Sequence, residues 1–126
     1  MVQVYALVAT AVLAGLAGFQ AALIAGAPFG HLAWGGQHRV LPRKLRIGSV
    51  VSIALYAVFA YIALARAEVA EPLVGQTFTE VAAWVLTAYF AVGVVMNGIS
   101  RSRQERLVMT PTVLALALLY LGLSLS

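Results

Sequence analysis

Cysteine is absent from this chain, which excludes disulfides, thiolate metal sites and the dithiol relays of membrane oxidoreductases. Charge is scarce as well, at 10% of residues against 63% hydrophobic. Such a composition cannot supply the charged surface of a water-soluble domain, so the solvent for most of the chain is a bilayer. Also missing is the basic n-region of a cleaved signal peptide, since the chain opens Met1-Val2-Gln3-Val4-Tyr5; Met1 is expected to belong to the first helix.

What remains after marking every charged residue is four uncharged runs, 1–38, 47–65, 81–100 and 107–126. About 20 apolar residues cross ~30 Å of hydrocarbon as a helix, so each of the last three runs is one span. The first run is too long for one crossing. Gly26, Pro28, Gly30, Gly35 and Gly36 punctuate its second half, and its helix is expected to end near Ala27. The expected fold is therefore an all-α integral membrane protein, a single membrane domain over 1–126. It is a four-transmembrane-helix bundle with approximate helices 2–27, 43–66, 79–99 and 108–125, and a Gly/Pro-broken interfacial loop over 28–41.

The connections are charged unequally. Arg39, Arg43, Lys44 and Arg46 lie between spans one and two, and Arg101, Arg103, Glu105 and Arg106 between spans three and four. Glu68, Glu71 and Glu80 accompany the single Arg66 around the middle loop. The positive-inside rule makes the two basic loops cytoplasmic and both termini extracytoplasmic, and the expected location is the plasma (inner) membrane. So strong a bias argues against dual-topology families such as small multidrug exporters and fluoride channels. An R-x-x-R step recurs at Arg43-Lys44-Leu45-Arg46 and Arg103-Gln104-Glu105-Arg106, a hint of two parallel helical hairpins, although topology alone can impose it. Thr77-Phe78-Thr79-Glu80 has a capping-box pattern, which places Thr77 at the start of span three. Span four starts either with Thr110 as its cap before Pro111 or near Leu107.

Apolar helices gain little by meeting in lipid unless small residues let their backbones approach. Span one carries Ala11, Ala14, Gly15, Gly18, Ala22 and Gly26 at small-xxx-small spacings. That face is the expected helix contact, within a central first helix or between copies in a homo-oligomer. Leucine-rich span four is expected to face lipid. Tyr61, Phe78, Trp84 and Tyr120 sit where rings anchor to headgroups, whereas Tyr89 and Phe90 lie deeper.

Little in the chain speaks for chemistry. No Asp, Glu, Lys or Arg interrupts a span, which disfavours proton-coupled transport and intramembrane acid catalysis. No H-E-x-x-H, G-x-S-x-G or phosphate-loop pattern is present. Gln20 and Asn97 are the costliest polar residues to bury, and they are expected to face each other or a pocket near the cytoplasmic end. The apolar but helix-breaking loop holds Phe29, His31, Trp34 and His38, and can cap a cavity. Gln20, His31, Trp34, His38 and Asn97 are thus the candidate ligand-binding residues. Arg39, Arg43, Arg46, Arg101, Arg103 and Arg106 are candidates for binding headgroups or phosphate. Two histidines make a poor metal or haem site, so no metal or cofactor is expected. Short basic loops almost without aromatics argue against nucleic acid. The leading expectation is a non-enzymatic membrane module that binds a hydrophobic or anionic-lipid-like ligand, or a membrane partner, from the cytoplasmic side. The alternatives are a small oligomeric transporter or channel, and an enzyme acting on a phosphorylated or lipid-linked substrate.

Overall fold

The computed structural model of the chain describes residues 1–71 and 75–126. All regular structure among them is helical: α1 (Val2–Ile24), α2 (Arg43–Arg66), α3 (Gln76–Gly98) and α4 (Arg103–Leu125). Each helix is long and apolar enough to cross a membrane, and together they form a four-helix membrane bundle. Its units are the hairpins α1–α2 and α3–α4, which meet through α1 against α4 and α2 against α3. Two single 3₁₀ turns, Gly30–Leu32 and Trp34–Gly36, interrupt the α1–α2 connection. One end of the bundle carries this connection and the α3–α4 turn, with their arginines, and is called the basic end below. The other carries both termini.

Local chemistry sets where the helices stop. α1 ends at Ile24, short of Ala27, because Gly26 takes a left-handed φ of 94°. The Gly26 and Ala27 amides then bond back to the Leu23 and Ala22 carbonyls, a Schellman closure. α2 closes in the same way, with Glu68 in the left-handed position at φ 61° and Val69 bonding back to Leu64.

Two expected starts are corrected. α3 begins at Gln76 after Gly75, so Thr77 is inside the helix and caps nothing, while the Thr79 amide bonds the Gly75 carbonyl at 3.1 Å. α4 begins at Arg103, ahead of both Leu107 and Thr110, and Pro111 lies within it. The true cap is Ser102, whose hydroxyl accepts the Glu105 amide at 3.2 Å. Charged residues after Ser102 extend α4 beyond its apolar run because the first turn of a spanning helix lies among headgroups and water.

The repeated R-x-x-R steps occupy equivalent places, each opening a helix of its hairpin. Arg46 donates to the Leu41 carbonyl at 2.7 Å and Arg106 to the Ser100 carbonyl at 2.8 Å. Each second arginine thus ties its helix to the connection that precedes it.

Packing is tightest toward the termini. Ala6, Ala9 and Leu13 of α1 meet Phe59, Ile62 and Ala63 of α2, Leu86 and Phe90 of α3, and Leu116, Tyr120 and Leu123 of α4. Tyr120, expected as a headgroup anchor, is instead fully buried and donates its hydroxyl to the Phe59 carbonyl. The helical period from Leu116 through Tyr120 to Leu123 carries it inward. Phe78 and Trp84 do stay exposed. The central helix is α4, which touches every other helix and the 3₁₀ turns, rather than α1. The small residues Ala11, Ala14, Gly15 and Gly18 of α1 point out of the bundle, because Ala6, Ala9 and Leu13 claim the inward face.

Candidate functional site

Below the tight core, toward the basic end, the helices part around a cavity of about 530 Å³. Its ceiling is aromatic. Tyr56, Tyr89 and Phe90 line it and stack with Phe59, the Phe59 and Phe90 rings being edge-on at 5.7 Å and Tyr89 and Phe90 at 5.4 Å. Leu16 and Phe19 of α1, Met96 of α3, and Met109 and Val113 of α4 supply apolar walls. The volume is that of an ordinary small-molecule site, roughly 300–1,000 Å³.

The floor is the glycine-broken loop, which contributes Leu32, Ala33 and Trp34. Trp34, Gly35 and Gly36 have positive φ values of 53°, 78° and 72°, a left-handed run that turns the chain back under the bundle. The Trp34 indole lies against α2, where a Cβ on Gly48 would stand 2.8 Å from the ring. Its N–H reaches the Ser49 hydroxyl at 3.4 Å. Two ties join the floor to the start of α4. Ser102 donates its hydroxyl to the His31 carbonyl, and the Glu105 carboxylate accepts the Gly35 amide at 3.2 Å. Ser102 therefore caps α4 and anchors the loop at once. Ser102→Ala is expected to lower stability by about 1–2 kcal/mol, seen as an earlier midpoint in a detergent-unfolding titration of the purified protein.

Of the expected binding residues, Gln20, Trp34 and Asn97 line the cavity. Gln20 and Asn97 do not bond each other. Gln20 Nε2 donates to the Tyr56 hydroxyl at 3.4 Å, while Asn97 Nδ2 turns back to the Gly93 carbonyl of its own helix at 2.8 Å. Neither histidine lines the cavity; His31 joins the floor through its backbone carbonyl, and His38 is exposed. Arg39, Arg43, Arg101 and Arg103 are exposed and make no side-chain hydrogen bond among the described residues. Arg46 and Arg106 are tied to carbonyls.

The mouth of the cavity is lateral. Tyr89, Val92 and Met96 of α3 border it while being 55%, 62% and 61% exposed, and Ser52 and Tyr56 of α2 form the opposite lip. α2 and α3 pack less extensively than the other neighbouring helices. A scan of family models and searches of curated proteins and solved structures return no match, so geometry carries the functional reading.

Sequence reasoning passed over Glu105. It is 7% exposed, lines the cavity, and makes no ion pair among the described residues. Two signals pointed to it: it is the lone acid among the basic-end residues, and Ser102-Arg103-Gln104-Glu105 has capping-box spacing. Here the box is half formed. Its carboxylate serves the Gly35 amide, and the Ser102 amide turns to the Ser100 hydroxyl instead.

Proposed function

We propose that this small multi-pass membrane protein is a non-enzymatic binding module whose cavity holds the apolar part of an amphiphile taken sideways from the bilayer. The observation that supports this is the cavity, walled by aromatics and methionines, floored by the tethered loop, and bordered by exposed α3 residues that would face lipid. The basic end faces the cytoplasm in this reading and both termini face outward, following the arginine bias. The ligand is then drawn from the cytoplasmic leaflet of the plasma (inner) membrane, while anionic headgroups gather around Arg39, Arg43, Arg101 and Arg103. The outward Ala11/Gly15 and Ala14/Gly18 face of α1 suits contact with a second copy or a partner helix. The histidines outside the cavity give no support to acid–base chemistry there.

Native mass spectrometry of protein released from mild detergent tests the reading. A retained species carrying an acyl or other apolar chain is expected in the wild type, and Ser52→Phe, which fills the mouth, should reduce its occupancy several-fold. Wild-type protein that flies free of any such species, and does not take one up from added lipid, would overturn it.

A further inference from the structure

The polar groups of the cavity are unbalanced. Glu105 presents a buried carboxylate with a single amide donor on Oε2. Gln20, also 7% exposed, leaves its Oε1 buried with no hydrogen-bond partner. Gln20 Oε1 is thus an acceptor without a donor, and the Glu105 carboxylate is a buried charge without a cation among the described residues. Several donors nearby serve other acceptors: the Trp34 indole serves Ser49, Ser52 the Gly48 carbonyl, and one Asn97 N–H the Gly93 carbonyl, while the Tyr56 hydroxyl accepts from Gln20 rather than donating to its Oε1. None of the neighbouring arginines supplies the missing positive charge: Arg101 and Arg103 are exposed, and Arg106 is bonded to Ser100.

We infer that the Glu105 end of the cavity is a site for an ammonium headgroup, so that the amphiphile is a lipophilic amine. The inference rests on the cavity being a ligand site, as proposed above. A protonated amine brings what this end of the cavity lacks, a positive charge and N–H donors for the Glu105 carboxylate, and Gln20 Oε1 is a further acceptor on the same cavity wall. The faces of Trp34, Tyr56 and Tyr89 attract a cation as well as an alkyl chain. An aminolipid and a free long-chain amine carry the same headgroup chemistry. A fatty acid or a neutral alcohol would leave the Glu105 charge uncompensated.

The test compares three probes with one chain and different heads: dodecylamine, dodecanol and laurate. Each is titrated at pH 7 into full-length protein in phosphatidylcholine nanodiscs, with partition into empty discs subtracted. Trp34 fluorescence is read in a Trp84→Phe background, since Trp84 lies outside the cavity. Dodecylamine should bind at least roughly tenfold tighter than dodecanol, the scale of a charge-assisted hydrogen bond, with laurate weakest. In Glu105→Gln, which keeps an acceptor for the Gly35 amide, the amine-to-alcohol ratio should fall close to one. The wild-type comparison needs no variant. Equal binding of amine and alcohol would overturn the headgroup assignment and leave the chain-binding cavity standing. So would tightest binding of laurate, or an amine preference that survives in Glu105→Gln. Failure of all three probes to bind would overturn both readings. Adding a phosphatidylethanolamine arm separates an aminolipid source from a free amine.

Discussion

Replacing Gly30 with alanine is expected to unseat the floor of the cavity. A Cβ there would stand 2.0 Å from the His38 carbonyl oxygen and 2.7 Å from that of Arg39. Both obstacles are backbone, so no side-chain rotation relieves them and the loop strand 38–39 must move. Forcing extra atoms into so close an approach costs about 1–3 kcal/mol or more. Losing the bond from the Gly30 amide to the Arg39 carbonyl, now 2.8 Å, adds about 1 kcal/mol. The loss should be local: faster amide hydrogen exchange over 29–39, a shifted Trp34 emission, and little change in the helices. Gly35→Ala is the matched control. Its φ of +78° makes alanine uncomfortable, but a Cβ there meets nothing within 4 Å, so only the left-handed penalty of about 1–2 kcal/mol applies. Equal exchange in the two variants would show that the close approach at Gly30 does not hold the floor.

Tyr120→Ala should produce the largest global loss, about 3–5 kcal/mol for truncating a fully buried aromatic. The ring sits 5.1 Å from that of Phe90, on the core side of the aromatic ceiling, and its hydroxyl holds the Phe59 carbonyl of α2. Alanine would open a void between α2, α3 and α4 that adjoins the existing cavity. Tyr120→Phe keeps the ring and removes only the hydroxyl, so it should cost about 1 kcal/mol. Detergent-unfolding midpoints of the two variants measure the difference. A Tyr120→Ala midpoint close to that of Tyr120→Phe would mean that packing at this position is not what joins the hairpins.

Four helices were legible in the sequence because the bilayer enforces a length and forbids charge within it, so arginines and glutamates fall between successive spans. The start of α4 was harder to read. Proline and threonine at 110–111 resemble a helix start, but a spanning helix tolerates Pro111 when its ring lies on an exposed face. Which face of a helix turns inward was harder still. Small residues on α1 resemble a contact, yet leucine and alanine at Ala6, Ala9 and Leu13 took that role. In lipid both faces are apolar, so periodicity carries little information about direction. The loop was readable as a cavity cap from its glycines, and Gln20, Trp34 and Asn97 as polar or amphipathic outliers in apolar surroundings. Glu105 was hidden among arginines, where a carboxylate reads as topogenic background; its burial follows from a tertiary contact with Gly35 that no local pattern announces.

The matched arginine ties of the two hairpins divide the cations of the basic end into two kinds. Arg46 and Arg106 each donate one guanidinium N–H, to the Leu41 and Ser100 carbonyls. Arg39, Arg43, Lys44, Arg101 and Arg103 are the cations left with no side-chain hydrogen bond among the described residues. A bond to a neutral carbonyl leaves the charge in place, so a membrane surface or polyanion should register seven cations, two held at fixed positions and five free to follow the headgroups.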